Sequence, residues 1–207
     1  MADEWTIAGK ARTDFAEMIS GLSADQQTAD TLCDGWTVQN VAGHVVSFIE
    51  MSLPTLMISM AKGGFNIDKA WHANAKKYGE QGMQEIVRKI QADAAKPSAV
   101  KSFPAGLTIA DVAVHTQDVR RPLGLGGSLD PQVTRSALDF CTSHKKGKMQ
   151  VPSDHIGGLC LEAADMDWTW GSGDLVRGPA EAILLAINRR DTRSELTGDG
   201  VAKLPRG

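Results

Sequence analysis

The sequence predicts a mainly α chain that closes with a small α/β portion. Apolar residues recur at spacings of three and four in one segment after another as far as about Lys146. Several of these segments are preceded by helix-starting residues, Thr37 and Asp130-Pro131 among them. Beyond Val151 the texture changes to short apolar runs separated by Gly and Asp, the pattern of strands and turns. The expected division is therefore a helical part over 1–148 and an α/β part over 149–207.

From Trp5 to Leu22 the apolar residues Ile7, Ala11, Phe15, Met18 and Leu22 lie on one face, which predicts an amphipathic helix against a core. Ser23 to Gly35 is polar and turn-rich, and Thr37 then caps a second helix whose inward stripe is Val41, His44, Val45 and Phe48. Pro54 is expected to kink or end that helix, and Gly63 with Gly64 closes the region. A third helix is expected from about Ile67 through Trp71, Tyr78, Ile86, Val87 and Ile90, with Gly79 and Gly82 as points of interruption. Pro97 and Pro104 bound a loop, after which Thr108 opens a helix through Ile109, Val112, His115 and Val119 that ends near Arg121, ahead of Pro122. Asp130-Pro131 starts the next, with Val133, Ala137 and Cys141 inward. In the closing portion Ile156–Ala163 and Trp168–Val176 read as strands and turns, a helix runs from about Pro179 through Ile187, and a last short strand is expected near Val201–Leu204.

Composition narrows the function. The chain has 207 residues, 42% of them hydrophobic, enough to bury a core. Its 22 Lys and Arg against 25 Asp and Glu give a net charge of −3, which leaves no electrostatic footprint for nucleic acid. Asp3 and Glu4 with no apolar core segment nearby do not read as a signal peptide, so a cytoplasmic location is expected. The longest apolar stretch, Met51 to Ala61, is interrupted by Pro54 and is too short to cross a bilayer. Cys33, Cys141 and Cys160 form no CxxC pair and read as reduced thiols. Gly124-x-Gly126-Gly127 follows a helix and lacks dinucleotide spacing, and neither GxSxG nor HExxH occurs.

The chemistry-bearing pattern is a divided set of ligand types. Asp111 and His115 stand four apart, on one face of a helix, and His44 lies in the apolar stripe of another. Brought together, two imidazoles and a carboxylate hold a divalent metal with a position left for a substrate atom. Asp111 has a second reading as the far end of a capping box begun by Thr108. Asp118 extends the polar line by one turn, as a catalytic or supporting carboxylate, or as a surface partner for Arg120 or Arg121. Burying such groups without partners costs several kcal/mol, roughly, and a cation would pair them. His72, His144 and His155 lie in polar surroundings and read as surface residues.

Gly35-Trp36-Thr37-Val38 leading into Gly43-His44-Val45, followed by Asp111-Val112-Ala113-Val114-His115-Thr116-Gln117-Asp118, resembles the mycothiol-dependent maleylpyruvate isomerase family of the DinB-like superfamily. The stretches Asp165–Gly171, Arg177–Ala182 and Leu196–Gly200 resemble that family's tail, so the resemblance spans nearly the whole chain. It implies a DinB-like four-helix bundle with a small α/β portion, and a metal held by His44, Asp111 and His115, where metal-binding members carry Glu in place of this Asp. It also implies mycothiol as cofactor and a small electrophilic substrate. Arg120, Arg121 and Arg177 are the candidates for binding the cofactor's or substrate's carboxylate.

Three functions are compatible with these residues: metal-dependent transfer or isomerisation through a low-molecular-weight thiol, metal-assisted hydrolysis at the same site, and a metal-free binding or dimerisation module. Zinc is the first expectation for the metal, since it accepts nitrogen and oxygen ligands as nickel, iron and manganese also do. A symmetric homodimer is compatible with an exposed bundle face.

Overall fold

The structure, a computed structural model, describes residues 3–206. The chain divides into two units, 1–127 and 128–207. The first contains α1 (Glu4–Ser20), α2 (Ala24–Thr28), α3 (Val38–Glu50), α4 (Leu53–Lys62), α5 (Ile67–Gly79), α6 (Met83–Ala92) and α7 (Ala105–Arg120). Neighbours close a ring: α1 packs on α7 and α6, and α3 packs on α7, α5 and α6. The result is a four-helix bundle whose fourth position is shared by α5 and α6, and the break between them falls between Gly79 and Gly82 as the sequence predicts.

The helix starts follow local chemistry. Thr37 begins α3 with a full capping box, its hydroxyl accepting from the Asn40 amide while the Asn40 side chain accepts from the Thr37 amide. Ile7, Ala11 and Phe15 of α1 are buried as the stripe predicts, and so is Arg12, which carries no apolar signal. The Arg12 Nη1 donates to the carbonyls of Ala94 and Lys96 at 2.9 and 2.7 Å, tying the turn after α6 onto α1.

Three local expectations are corrected. Ser23–Gly35 is not all turn: Ser23 and Gln26 make a reciprocal cap on the short α2. Pro54 puts no kink in α3, which ends ahead of it at Glu50; it sits in the first turn of α4, where its missing N–H costs nothing, with Ser52 as cap. Thr108 does not open α7, because Pro104 starts it a turn earlier and leaves Thr108 buried inside the helix. The capping-box reading of Asp111 falls with it.

The second unit contains α8 (Pro131–Ser143), β1 (Leu159–Ala163), β2 (Thr169–Gly171), β3 (Asp174–Gly178) and α9 (Ala180–Ile187). The sequence texture changes near residue 148, whereas the packing division falls after Gly127. Packing decides because Asn188, after α9, reaches the Cys141 sulfur of α8, and the Trp168 indole donates to Asp139 of α8 at 2.8 Å. Asp130 caps α8 through the amides of Gln132 and Val133. The sheet runs β2-β1-β3, with β2 antiparallel and β3 parallel to β1.

The strands and turns expected over Trp168–Val176 are thus two strands on opposite edges of β1. The chain between them crosses the start of β1 at close range: a Cβ at Gly173 would lie 2.1 Å from the Gly158 carbonyl oxygen, and one at Gly171 2.4 Å from that of Leu159. Both glycines also adopt positive φ, so only glycine permits the crossing. The expected strand at Val201–Leu204 is instead a 3₁₀ turn over Asp199–Lys203.

Candidate functional site

α3 and α7 pack directly against one another, and this contact brings the divided ligand set together. One ligand atom each from His44, Asp111 and His115 lies within 4.8 Å of the other two. His44 Nε2 stands 3.2 Å from Asp111 Oδ1, and His115 Nε2 stands 3.7 Å from the same oxygen. Both imidazoles are buried, at 5% and 8% exposure. Removal from water holds the His44 pKa below its usual 6.5 despite the nearby Asp111 charge, so its ring is neutral and carries a lone pair.

His115 is oriented from behind. Its Nδ1 lies 2.9 Å from Asp118 Oδ2, and the Asp118 side chain is fully buried. A carboxylate only accepts, so Nδ1 carries the proton and the Nε2 lone pair faces Asp111. Asp118 therefore lies inside the bundle beside the site, and its carboxylate is engaged with an imidazole.

An aromatic enclosure surrounds the two rings. Trp36 stacks on His115 with centroids 5.6 Å apart and planes 15° apart, and lies 5.0 Å from His44. Phe48 and Trp71 approach His44 edge-on at 5.2 and 5.3 Å, and Phe103 packs on both. The Trp36 indole N–H donates to His72 Nδ1 at 2.8 Å. His72 is exposed, as its polar surroundings predict, but it holds the indole that covers the site. Helical periodicity marks Trp71 and Phe48 only as apolar, and nothing in the sequence connects Trp36 with His72.

Two polar residues at the site escape sequence reasoning. Arg12 is wholly buried, and burial lowers its pKa to about 10 against the opposing pull of Asp111 and Asp93, so it stays cationic on the Asp111 side. Cys33, half-buried in the loop before α3, shares with His115 and Asp118 a second group of ligand atoms lying within 4.8 Å of one another. No sequence spacing predicts either placement, because both depend on how α1 and the 29–37 loop pack on α7.

The arginines are placed differently. Arg120 ends α7, and its Nε and Nη1 are buried without a hydrogen-bond partner among the described residues. Arg121 follows as the C-cap and is engaged. Arg177 belongs to the second unit, exposed on β3, where its Nε donates to Glu162 of β1 at 2.8 Å across directly paired positions.

Residues 8–100 match the family model of the mycothiol maleylpyruvate isomerase N-terminal domain. That stretch of the chain is similar to the domain. The match takes in Trp36, Gly43 and His44, and ends before Asp111 and His115. The crystal structure of the mycothiol-dependent maleylpyruvate isomerase aligns with a TM-score of 0.56 at 14% identity, over 99% of this chain and 95% of that one. A histidine-to-alanine mutant of the mycothiol-dependent maleylpyruvate isomerase aligns with a TM-score of 0.58 at 13% identity and the same coverage. At such identities the likeness is one of fold, and it extends the mycothiol maleylpyruvate isomerase architecture over both units. No curated protein matches the sequence.

The residues present fit a divalent cation. Two neutral-capable imidazoles from two helices converge on one carboxylate oxygen in a low-dielectric enclosure, and one of them is held in the tautomer that frees Nε2.

Proposed function

We propose that this protein is a metal-dependent enzyme that activates a low-molecular-weight thiol, mycothiol, for S-transfer to, or isomerisation of, a small electrophilic substrate. The observation that carries the reading is the convergence of His44, Asp111 and His115 within 4.8 Å, on a fold shared with a mycothiol-dependent isomerase. His44, Asp111 and His115 would hold the cation, zinc being the first expectation, and its charge would keep the cofactor sulfur as thiolate near neutral pH.

The chain's own groups do the rest. His44 stays neutral by burial and so competes little with protons for its lone pair. Asp118 positions His115 and keeps the proton on Nδ1. Trp36, Phe48, Trp71 and Phe103 exclude water from the rings, which strengthens every charge interaction inside. Arg120, with two buried N–H groups lacking acceptors among the described residues, is the best placed of the arginines to receive a carboxylate; Arg121 and Arg177 enter on the resemblance alone.

Engagement of Asp118 with His115 counts against hydrolysis, which needs that carboxylate as a base for water. The test is turnover of a maleyl-type electrophile with and without added mycothiol, before and after chelation. Turnover that requires both thiol and metal supports the reading. Turnover without thiol moves the site to hydrolysis, and unchanged turnover after chelation removes the metal from the account.

A further inference from the structure

His115 faces a second ligand set that contains sulfur. Cys33, His115 and Asp118 each offer one ligand atom, all within 4.8 Å of one another. The loop that presents Cys33 is fixed by its own hydrogen bonds. The Leu32 amide donates to the Asp118 carbonyl at 3.1 Å, and the Trp36 amide donates to the Cys33 carbonyl at 3.0 Å. The Thr31 hydroxyl accepts from the Cys33 amide, and a bridge between Asp30 and Thr37 closes the loop. Cys33 is thus pinned to α7 from the residue before it, while Trp36 lies flat on the His115 ring.

We propose that Cys33, His115 and Asp118 form a second, thiolate-containing cation site that takes a thiophilic dication in alternation with the nitrogen–oxygen set. The alternation follows from the shared imidazole. A neutral histidine carries one proton: on Nδ1 it faces Asp118 and frees Nε2 for the Asp111 side, and on Nε2 it faces Asp111 and frees Nδ1 for the Cys33 side. Metal bonds of about 2.0–2.3 Å space tetrahedral ligand atoms roughly 3.5 Å apart, so small rotations of the Cys33 and Asp118 side chains complete the set. On binding, the Cys33 S–H bond breaks, its proton passes to solvent, and a sulfur–cation bond forms. The imidazole keeps one proton throughout, moved from Nδ1 to Nε2. Thiolate ligation selects soft ions, unlike the all-nitrogen-and-oxygen set beside it.

Cadmium added to chelator-treated full-length protein tests this through the ultraviolet sulfur-to-cadmium charge-transfer absorption. The parent protein and His44→Ala are expected to show the band, with His44→Ala at least as strong because the competing set is gone. Cys160→Ser should keep it. Cys33→Ser and Cys33→Ala should both lose it and weaken cadmium binding about tenfold or more. A parent protein without the band, or a band that survives both Cys33 substitutions, overturns the proposal. Zinc content separates it from the functional reading: Cys33→Ser is expected to retain zinc that Cys33→Ser combined with His44→Ala loses, so either site can fail while the other stands.

Discussion

Two imidazole nitrogens aimed at one carboxylate oxygen define the chemistry at the scale of residues. Asp118 sets which nitrogen of His115 is available, so Asp118→Asn, which keeps the shape and removes the charge, is expected to lower metal affinity about 10- to 100-fold with little change in fold. Competition with a chromophoric chelator measures it. His44 gives a pH signature. Burial holds its folded pKa below 6.5, so the unfolded chain binds this proton more readily than the folded one. In chelator-treated protein the stability from neutral His44 is whole above 6.5 and is lost as pH falls from there toward the lowered folded value. Urea midpoints at about pH 8 and about pH 5 should therefore differ in the parent more than in His44→Ala. The two histidines and Asp111 were legible because helical spacing alone puts them on inward faces. Arg12 and Cys33 were not, since a charged residue in an amphipathic helix and a thiol in a polar loop carry no local sign of burial or of what packs against them.

At the scale of elements, the position of His44 depends on how closely α3 lies against α5. A Cβ at Gly43 would stand 2.3 Å from the Ala75 carbonyl oxygen and from the Gly79 amide nitrogen, so the helices touch backbone to backbone beside the ligand. Those atoms cannot rotate away. Gly43→Ala is expected to cost about 1–3 kcal/mol and to lower metal affinity by displacing His44, seen as a fall in Tm together with weaker zinc retention. Elements with their own capping chemistry were readable in the sequence: Thr37 before α3 and Asp130-Pro131 before α8 act through neighbours only a few residues away. Pro104 overrode Thr108 at the start of α7 because both are plausible starts, and the earlier one adds a buried turn, Ala105 and Gly106 included. The placement of β2 and β3 on opposite edges of β1 was hidden because it depends on where Gly158 lies in space, not on the alternation of residues 168–176.

At the scale of the molecule, the proposed ligands His44, Asp111 and His115 all belong to the first unit, 1–127. Metal is therefore expected to stabilise that unit directly, by about 2.7 kcal/mol at a free concentration of 100 times Kd. Hydrogen exchange with and without zinc should show slowed amides in α3 and α7 and little change in β1–β3; uniform protection would contradict this. Among the described residues no helix is long and apolar enough to cross a membrane, in line with the interrupted stretch Met51–Ala61. The α-rich class and the small α/β close were legible because they rest on residue periodicity, whereas the division after Gly127 follows from the packing of α8 with α9 and was not.

The most direct measurement is the metal content of protein purified without chelator, parent beside His115→Ala, which removes the imidazole that both ligand sets share. The account predicts close to one equivalent of a divalent metal in the parent and a near-complete loss in the variant. A parent protein without metal that also takes up none on dialysis against zinc, or a variant that retains a full equivalent, would contradict it.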